Sequence, residues 1–212
     1  MILSRAKSMI IRISLYVLGL LLLSAVCLAF YAFLYPRPVD TTDQRIFLTD
    51  GSSVDYCQLP KLDGSGKLAS EIPKAYTPGC GFTRIPMPVL AECTEPLADG
   101  VIDMRGLWFG VSGWVGHVER IEQCGNRMVV TAGNTIHDFR VDGTLVNGAR
   151  DVGGICNNFN TAIHFDDDGE LIFRLFDLFD TVTRKMAGTG MIFTFIDGTE
   201  IRTERICRYP DD

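Results

Sequence analysis

The sequence has no charged residue between Ile13 and Tyr35 and no acidic residue before Asp40. It has no Asn-x-Ser/Thr sequon and no CxxC or CxxH pair. It has no HExxH, no nucleophile elbow and no glycine-rich phosphate loop, and it carries three histidines and two tryptophans in all. These gaps remove the usual signatures of a thiolate zinc site, a zinc protease, an α/β-hydrolase and a P-loop nucleotidase. What remains is a chain of 212 residues with 21 glycines, 26 acidic and 20 basic residues and seven cysteines.

The uncharged stretch Ile13 to Tyr35 reads ISLYVLGLLLLSAVCLAFYAFLY. As a helix rising about 1.5 Å per residue it reaches roughly 34 Å, enough for a hydrocarbon core of about 30 Å. Arg5, Lys7 and Arg12 precede it, and basic flanks stay on the cytoplasmic side. Tyr16, Tyr31 and Tyr35 stand towards its ends, where an amphipathic ring meets both lipid and water. A cleavable signal peptide has a shorter apolar core of about 7–15 residues and a small-x-small cleavage site. Here Cys27-Leu28-Ala29 is a poor site. A lipoprotein cut before Cys27 would need a small residue where Val26 stands. A buried globular helix would show a polar face. The expectation is an uncleaved signal anchor over residues 1–35, with the C-terminal bulk outside the cytoplasm, as on the periplasmic side of a bacterial inner membrane.

Setting aside Arg5, Lys7 and Arg12 leaves 17 basic against 26 acidic residues in the exported part. Such an acidic balance argues against nucleic acid as a partner and against docking on anionic lipid. Cys57, Cys80, Cys93, Cys124, Cys156 and Cys207 all lie beyond the span. Six cysteines in an oxidising compartment read as disulfides, and their connectivity stays open at the level of sequence.

Residues 36–98 divide into a tether, Pro36 to Thr49, and an irregular segment rich in Gly, Pro, Ser and Asp. That segment shows neither helical nor strand period and is expected to be a collar, tied to the next region through Cys57, Cys80 or Cys93. Residues 99–212 change character. Short β-branched and aromatic runs alternate with turn signals. The runs are Asp103–Val111, Trp114–Gln123, Arg127–Ala132, Thr135–Val141, Thr144–Val152, Thr161–Phe165, Glu170–Phe176, Thr181–Met186, Met191–Ile196 and Thr199–Arg208. Asp142-Gly143, Asp168-Gly169 and Asp197-Gly198 favour the positive φ of tight hairpins. No connection is long enough for a crossover helix, so neighbours must run antiparallel. The expected fold is all-β: an up-and-down meander of about 8–10 strands closed into a barrel, with an open two-sheet sandwich as the alternative.

The first strand reads Asp103-Met104-Arg105-Gly106-Leu107-Trp108-Phe109-Gly110. Gly-x-Trp opening such a meander resembles the calycins, the superfamily of lipocalins, fatty-acid-binding proteins and avidins. The resemblance covers roughly Asp103 to Tyr209. It implies that Trp108 packs across the closed end of the barrel, with Arg205 or Arg208 lying over its ring. It also implies a cavity for a small apolar or lipid-like ligand.

Period-two alternation puts Leu171, Phe173 and Leu175 on one face and Ile163 and Phe165 on another. With Trp108 and Val129 they are the expected lining of an apolar interior, either hollow for a ligand or packed with its own side chains. His117, His137 and His164 each stand near an acid, and His117 shares a face with Glu119, a pairing that fits a polar site. His137 and Asp138 point oppositely. Asp166-Asp167-Asp168-Gly169-Glu170 lacks the spacing of a calcium loop and reads as a hairpin tip. No metal and no cofactor is expected. Function reads first as a membrane-anchored binding protein for a small apolar molecule. The alternatives are an envelope scaffold whose filled barrel meets a partner protein, and a small calycin-type isomerase or cyclase.

Overall fold

A computed structural model describes residues 2–34, 50–77, 81–147 and 160–210. The chain divides into two compact units, Met1–Tyr35 and Pro36–Asp212, so the collar and the strands belong to one body. The first unit is a single helix, α1, Ile2–Leu34. Within it Ile11–Ala29 is long and apolar enough to cross a membrane, and all of these residues are exposed. No polar face breaks this surface, which suits lipid rather than water.

Among its described residues the second unit holds ten strands: β1 (Gly106–Ser112), β2 (Val118–Cys124), β3 (Arg127–Ala132), β4 (Thr135–Arg140) and β5 (Val146–Asn147), then β6 (Asn160–Phe165), β7 (Leu171–Leu175), β8 (Phe179–Ala187), β9 (Gly190–Phe195) and β10 (Glu200–Ile206). They form one sheet in the order β4-β3-β2-β1-β10-β9-β8-β7-β6-β5, every pair antiparallel. The first and last strands lie side by side, Trp108 opposite Arg205. The two ends of the sheet, β4 and β5, are consecutive in the chain. Between them Asp142 bridges to His164 of β6, and the Gly143 N–H donates to the Ile163 carbonyl at 2.8 Å. One stretch of chain therefore pairs first with β3 and then with β6, and the sheet curls into a nearly closed barrel. The expected meander is present, as a barrel rather than a sandwich.

Strand ends shift where glycine intervenes. β1 begins at Gly106, φ +147°, three residues later than the apolar run suggests. Gly113 and Gly116, both at positive φ, turn the chain between β1 and β2, so Trp114 and Val115 lie in the turn and not in a strand. In β5 only Val146 and Asn147 of the expected Thr144–Val152 run are strand, and residues 148–152 lie outside the described residues. Cys80, Cys156 and the tether from Pro36 to Thr49 lie outside them as well.

Two apolar clusters form. One fills the barrel and includes Met104, Trp108, Ile121, Met128, Phe139, Ile163 and Leu171. The other lies against the outer wall of β2, β3 and β4, where Ala69, Ile72, Ala75, Val89, Leu90 and Cys93 of the collar cover Cys124, Val129 and Ile136. Among the described residues the collar is covalently tied through Cys57–Cys207 and Cys93–Cys124. The Cys57–Cys207 bridge joins residues 150 apart in sequence, and long loops lose the most chain entropy on closure. Replacing Cys57 and Cys207 together by serine is expected to lower the unfolding free energy of the full chain in detergent by about 2–5 kcal/mol. Denaturant titration measures this, and an unchanged midpoint would contradict it.

Candidate functional site

At the closed end of the barrel Trp108 is fully buried, and its indole N–H donates to the Met104 carbonyl at 3.0 Å. The Arg205 guanidinium carbon stands 4.9 Å from the ring centroid, so Arg205 and not Arg208 supplies the cation. Gly106 makes room for it: a Cβ there would stand 3.0 Å from Arg205 Nε. The spacing Gly106-x-Trp108 thus has a steric cause. A side chain at the strand start would push the arginine off the tryptophan. Gln123 closes the same end by accepting from Met104 N at 2.6 Å and donating to the Ile102 carbonyl at 2.9 Å.

The lumen above Trp108 is occupied. Ile163, Leu171 and Trp108 have no exposed surface, and Phe173 and Phe165 pack in the same cluster. Leu175 shares their strand face, half-buried at the strand end. Val129 requires correction. It sits in the outer cluster under the collar, not in the lumen. All residues from Arg127 to Thr131 are buried, because β3 is covered on both faces, and residue type then no longer reveals which side is inside.

An ion pair crosses the lumen. Arg184 of β8 donates through Nε to Glu119 Oε1 at 3.0 Å and through Nη2 to Oε2 at 2.6 Å. β2 and β8 stand on opposite sides of the ring, with β1, β10 and β9 between them. The guanidinium is sandwiched between Phe173 and Phe193, 4.4 Å from each centroid. Both side chains are at least nine-tenths buried, so the pair exchanges hydration for a bidentate contact and two ring faces. Phe139 of β4 meets Phe173 of β7 edge-on across another part of the interior. Arg184 looks like a surface charge in the sequence, yet it alternates with Val182 and Met186, which pack against the barrel core.

The three histidines go to different places. His117 stands at the lumen mouth beside Trp114, in the field of Glu119 and Arg184. His137 faces the interior, stacked on Phe139 and 3.1 Å from Thr135 Oγ1. His164, by strand alternation, faces outward at the Asp142 bridge. Glu119 has both oxygens engaged by Arg184, and the four polar candidates do not converge on one point. Asp55, Cys57 and Cys207 also come together, but the two sulfurs are joined to each other and leave one carboxylate.

Outside the barrel, a cleft of about 300 Å³ opens between collar and wall. Val54, Leu59, Pro60, Leu62, Met87 and Leu90 give it an apolar lining, with Arg120 and Glu122 at its base. Arg120 is completely buried. Its Nη1 donates to Tyr56 Oη at 2.9 Å and to the Pro86 carbonyl at 2.6 Å. Its Nη2 donates to the Met87 carbonyl and Thr131 Oγ1, each at 3.2 Å, and its Nε stands 3.0 Å from Glu122 Oε1. Glu122 Oε2 in turn accepts from Leu90 N at 2.7 Å. The cleft therefore has a rigid, charge-compensated floor and greasy sides. Its position depends on the path of an irregular segment, which neither composition nor alternation encodes.

No family model matches the chain, and no curated protein matches it. Among solved structures, human cRBP IV aligns at 14% identity with a TM-score of 0.36, covering 50% of this chain and 99% of that one. The barrel's strand order and the packing of Gly106, Trp108 and Arg205 are the arrangement that the resemblance to calycins implies.

Two predictions follow from the lumen. Removing one partner of the buried pair, as in Arg184→Met or Glu119→Gln, is expected to cost about 3–5 kcal/mol, and combining the two is expected to recover part of that loss. Equilibrium unfolding of the three variants checks it; simple additivity would show the pair is not coupled. Burial holds His117 below its usual range, Arg184 acting with burial and Glu119 against it. The unfolded chain then takes up a proton near pH 6.5 that the folded chain refuses, so stability is lost as pH falls through that value. His117→Gln should flatten the stability profile between about pH 7 and pH 5 relative to the parent. An identical slope in both proteins would rule the assignment out.

Proposed function

We propose that the chain is an extracytoplasmic binding module with a lipocalin-like barrel, held at a membrane by its N-terminal helix. On this reading the compartment is the periplasmic side of a bacterial inner membrane. Basic residues before the apolar run, an exposed apolar helix and the disulfides Cys57–Cys207 and Cys93–Cys124 support it. The ligand is a small apolar molecule, and its seat is the cleft between collar and barrel wall. One observation carries this: the cleft is open and apolar, while the lumen is crossed by Glu119 and Arg184. Trp108, Ile163, Phe165, Leu171, Phe173 and Leu175 then act as core beneath the site and not as its lining. A volume of about 300 Å³ is at the small end of ligand pockets, which limits the guest to a compact molecule.

The filled lumen also favours a second reading, an envelope accessory subunit that meets a partner protein through the collar. Native mass spectrometry of the full chain, purified from its own membranes in mild detergent, separates the two. The binding reading expects a co-purifying small molecule. Ala91→Trp, at an exposed position of the cleft lining, should reduce its occupancy about tenfold while leaving the melting temperature unchanged. Repeated preparations carrying no such molecule would transfer the case to the partner-protein reading.

A further inference from the structure

The barrel exposes apolar side chains at one end. Trp114 and Val115 project from the β1–β2 turn, Leu178 from the β7–β8 connection, Phe179 from the first position of β8, and Ile196 from the β9–β10 turn. Their exposures run from 53% to 75%, well beyond what side chains of this size leave uncovered when they serve as core. The pairing registers place all three turns at the same end. Ser112 at the end of β1 faces Arg202 near the start of β10, Thr194 near the end of β9 faces Glu200, and Leu175 at the end of β7 faces Phe179. The strands β1, β10, β9, β8 and β7 are consecutive in the sheet, so the three turns are neighbours along one arc of the rim.

The arc is consolidated, which makes it a surface and not a set of loose tips. The Trp114 ring lies 5.1 Å from that of Phe195, and Phe195 contacts Phe193 at 4.6 Å. The Ile196 N–H donates to the Thr181 carbonyl at 2.9 Å, joining the β9–β10 turn to β8. Phe176 and Asp177 both adopt positive φ, which throws Leu178 outward. The charges around the arc are engaged locally: Arg174 with Asp177 and Asp180, Arg202 with Glu200, and Asp197 with the Thr199 N–H.

We infer that this arc docks on a lipid bilayer surface, with Trp114, Val115, Leu178, Phe179 and Ile196 entering the interfacial zone. The inference rests on the membrane-anchored reading above. Fifteen residues separate α1 from Asp50, and even fully extended they span at most about 50 Å. A folded unit on so short a leash stays at high local concentration beside the bilayer that holds α1. Turn tips bearing Trp, Phe, Leu, Ile and Val are suited to insertion between headgroups, where Trp prefers to reside. The acidic residues on the arc outnumber its basic ones, so the fitting surface is neutral, zwitterionic lipid, and apolar insertion supplies the attraction.

The two tryptophans make a direct test, because α1 contains none, Trp108 is fully buried and Trp114 is exposed. The full chain is reconstituted into phosphatidylcholine vesicles with and without bromine on the acyl chains. Docking predicts that bromine removes roughly a third or more of the tryptophan emission, that Trp114→Phe abolishes this quenching, and that raising salt to about 0.5 M leaves it intact. Flotation of the same vesicles reports the anchor separately. A chain that floats but shows no bromine quenching overturns the docking and leaves the anchor standing. A chain that fails to float overturns the anchor. Shielding of Trp114 from aqueous iodide that grows with protein density, without bromine quenching, would give the arc to a second copy of the chain and also overturn the inference.

Discussion

A buried stretch of irregular backbone is tolerable only if its carbonyls find donors, and Arg120 and Arg127 supply them here. The collar is rich in proline, which keeps its carbonyl but has no N–H, so such a segment carries more acceptors than donors. Arginine is the complementary group, with five donors and no acceptor. Arg120 donates to the Pro86 carbonyl and Arg127 to Pro73, while at the exposed side of the collar Arg105 donates to Pro60. Arg127 adds the carbonyls of Ala69 and Ile72 and is itself held bidentately by Asp138, which also accepts from Ala75 N. Hydrogen bonds to charged groups contribute about 1.5–3 kcal/mol each, more than neutral ones. The outer cluster, the cleft and the Cys93–Cys124 bridge all depend on this placement of the collar.

The same constraint explains why parts of the fold were legible and parts were not. β3 is read correctly from Arg127 to Ala132, because Gly125-Asn126 and Gly133-Asn134 bracket a β-branched run. Asp168-Gly169 and Asp197-Gly198 mark hairpins where expected, whereas Asp142-Gly143 hands the chain from β3 to β6 between two strands that do not pair, and the cation over Trp108, which the calycin resemblance leaves to Arg205 or Arg208, is Arg205. The inward face of β3 was not legible. Alternation reports a face only when one side meets water, and the collar denies water to both. Arg127 in that run looks like a surface charge until its carbonyl partners are known. Arg184 is the mirror case, a charge placed inside, flanked at i±2 by Val182 and Met186.

Two designs of polar burial thus operate in one small domain. Outside the wall, guanidinium groups meet neutral carbonyls and one or two carboxylates. Inside it, a guanidinium meets a carboxylate and two aromatic faces. The inner pair connects opposite walls of the ring and fixes its cross-section, as a strut fixes a tube. A barrel braced in this way has less freedom to swell around a guest than a hollow one. Recognition then moves outward, to the cleft and the rim.

The Cys57–Cys207 bridge has a mechanical meaning beyond its effect on the unfolded chain. It welds the segment just after Asp50 to the residue just past β10, the last strand of the barrel. Tension arriving from the N-terminal side is carried by a covalent link to the trailing end of the domain and bypasses the collar between them. The load enters β10 at its C-terminal end, where that strand is paired with β1. Reduction of that bond would send the same pull through the collar before it reached a strand.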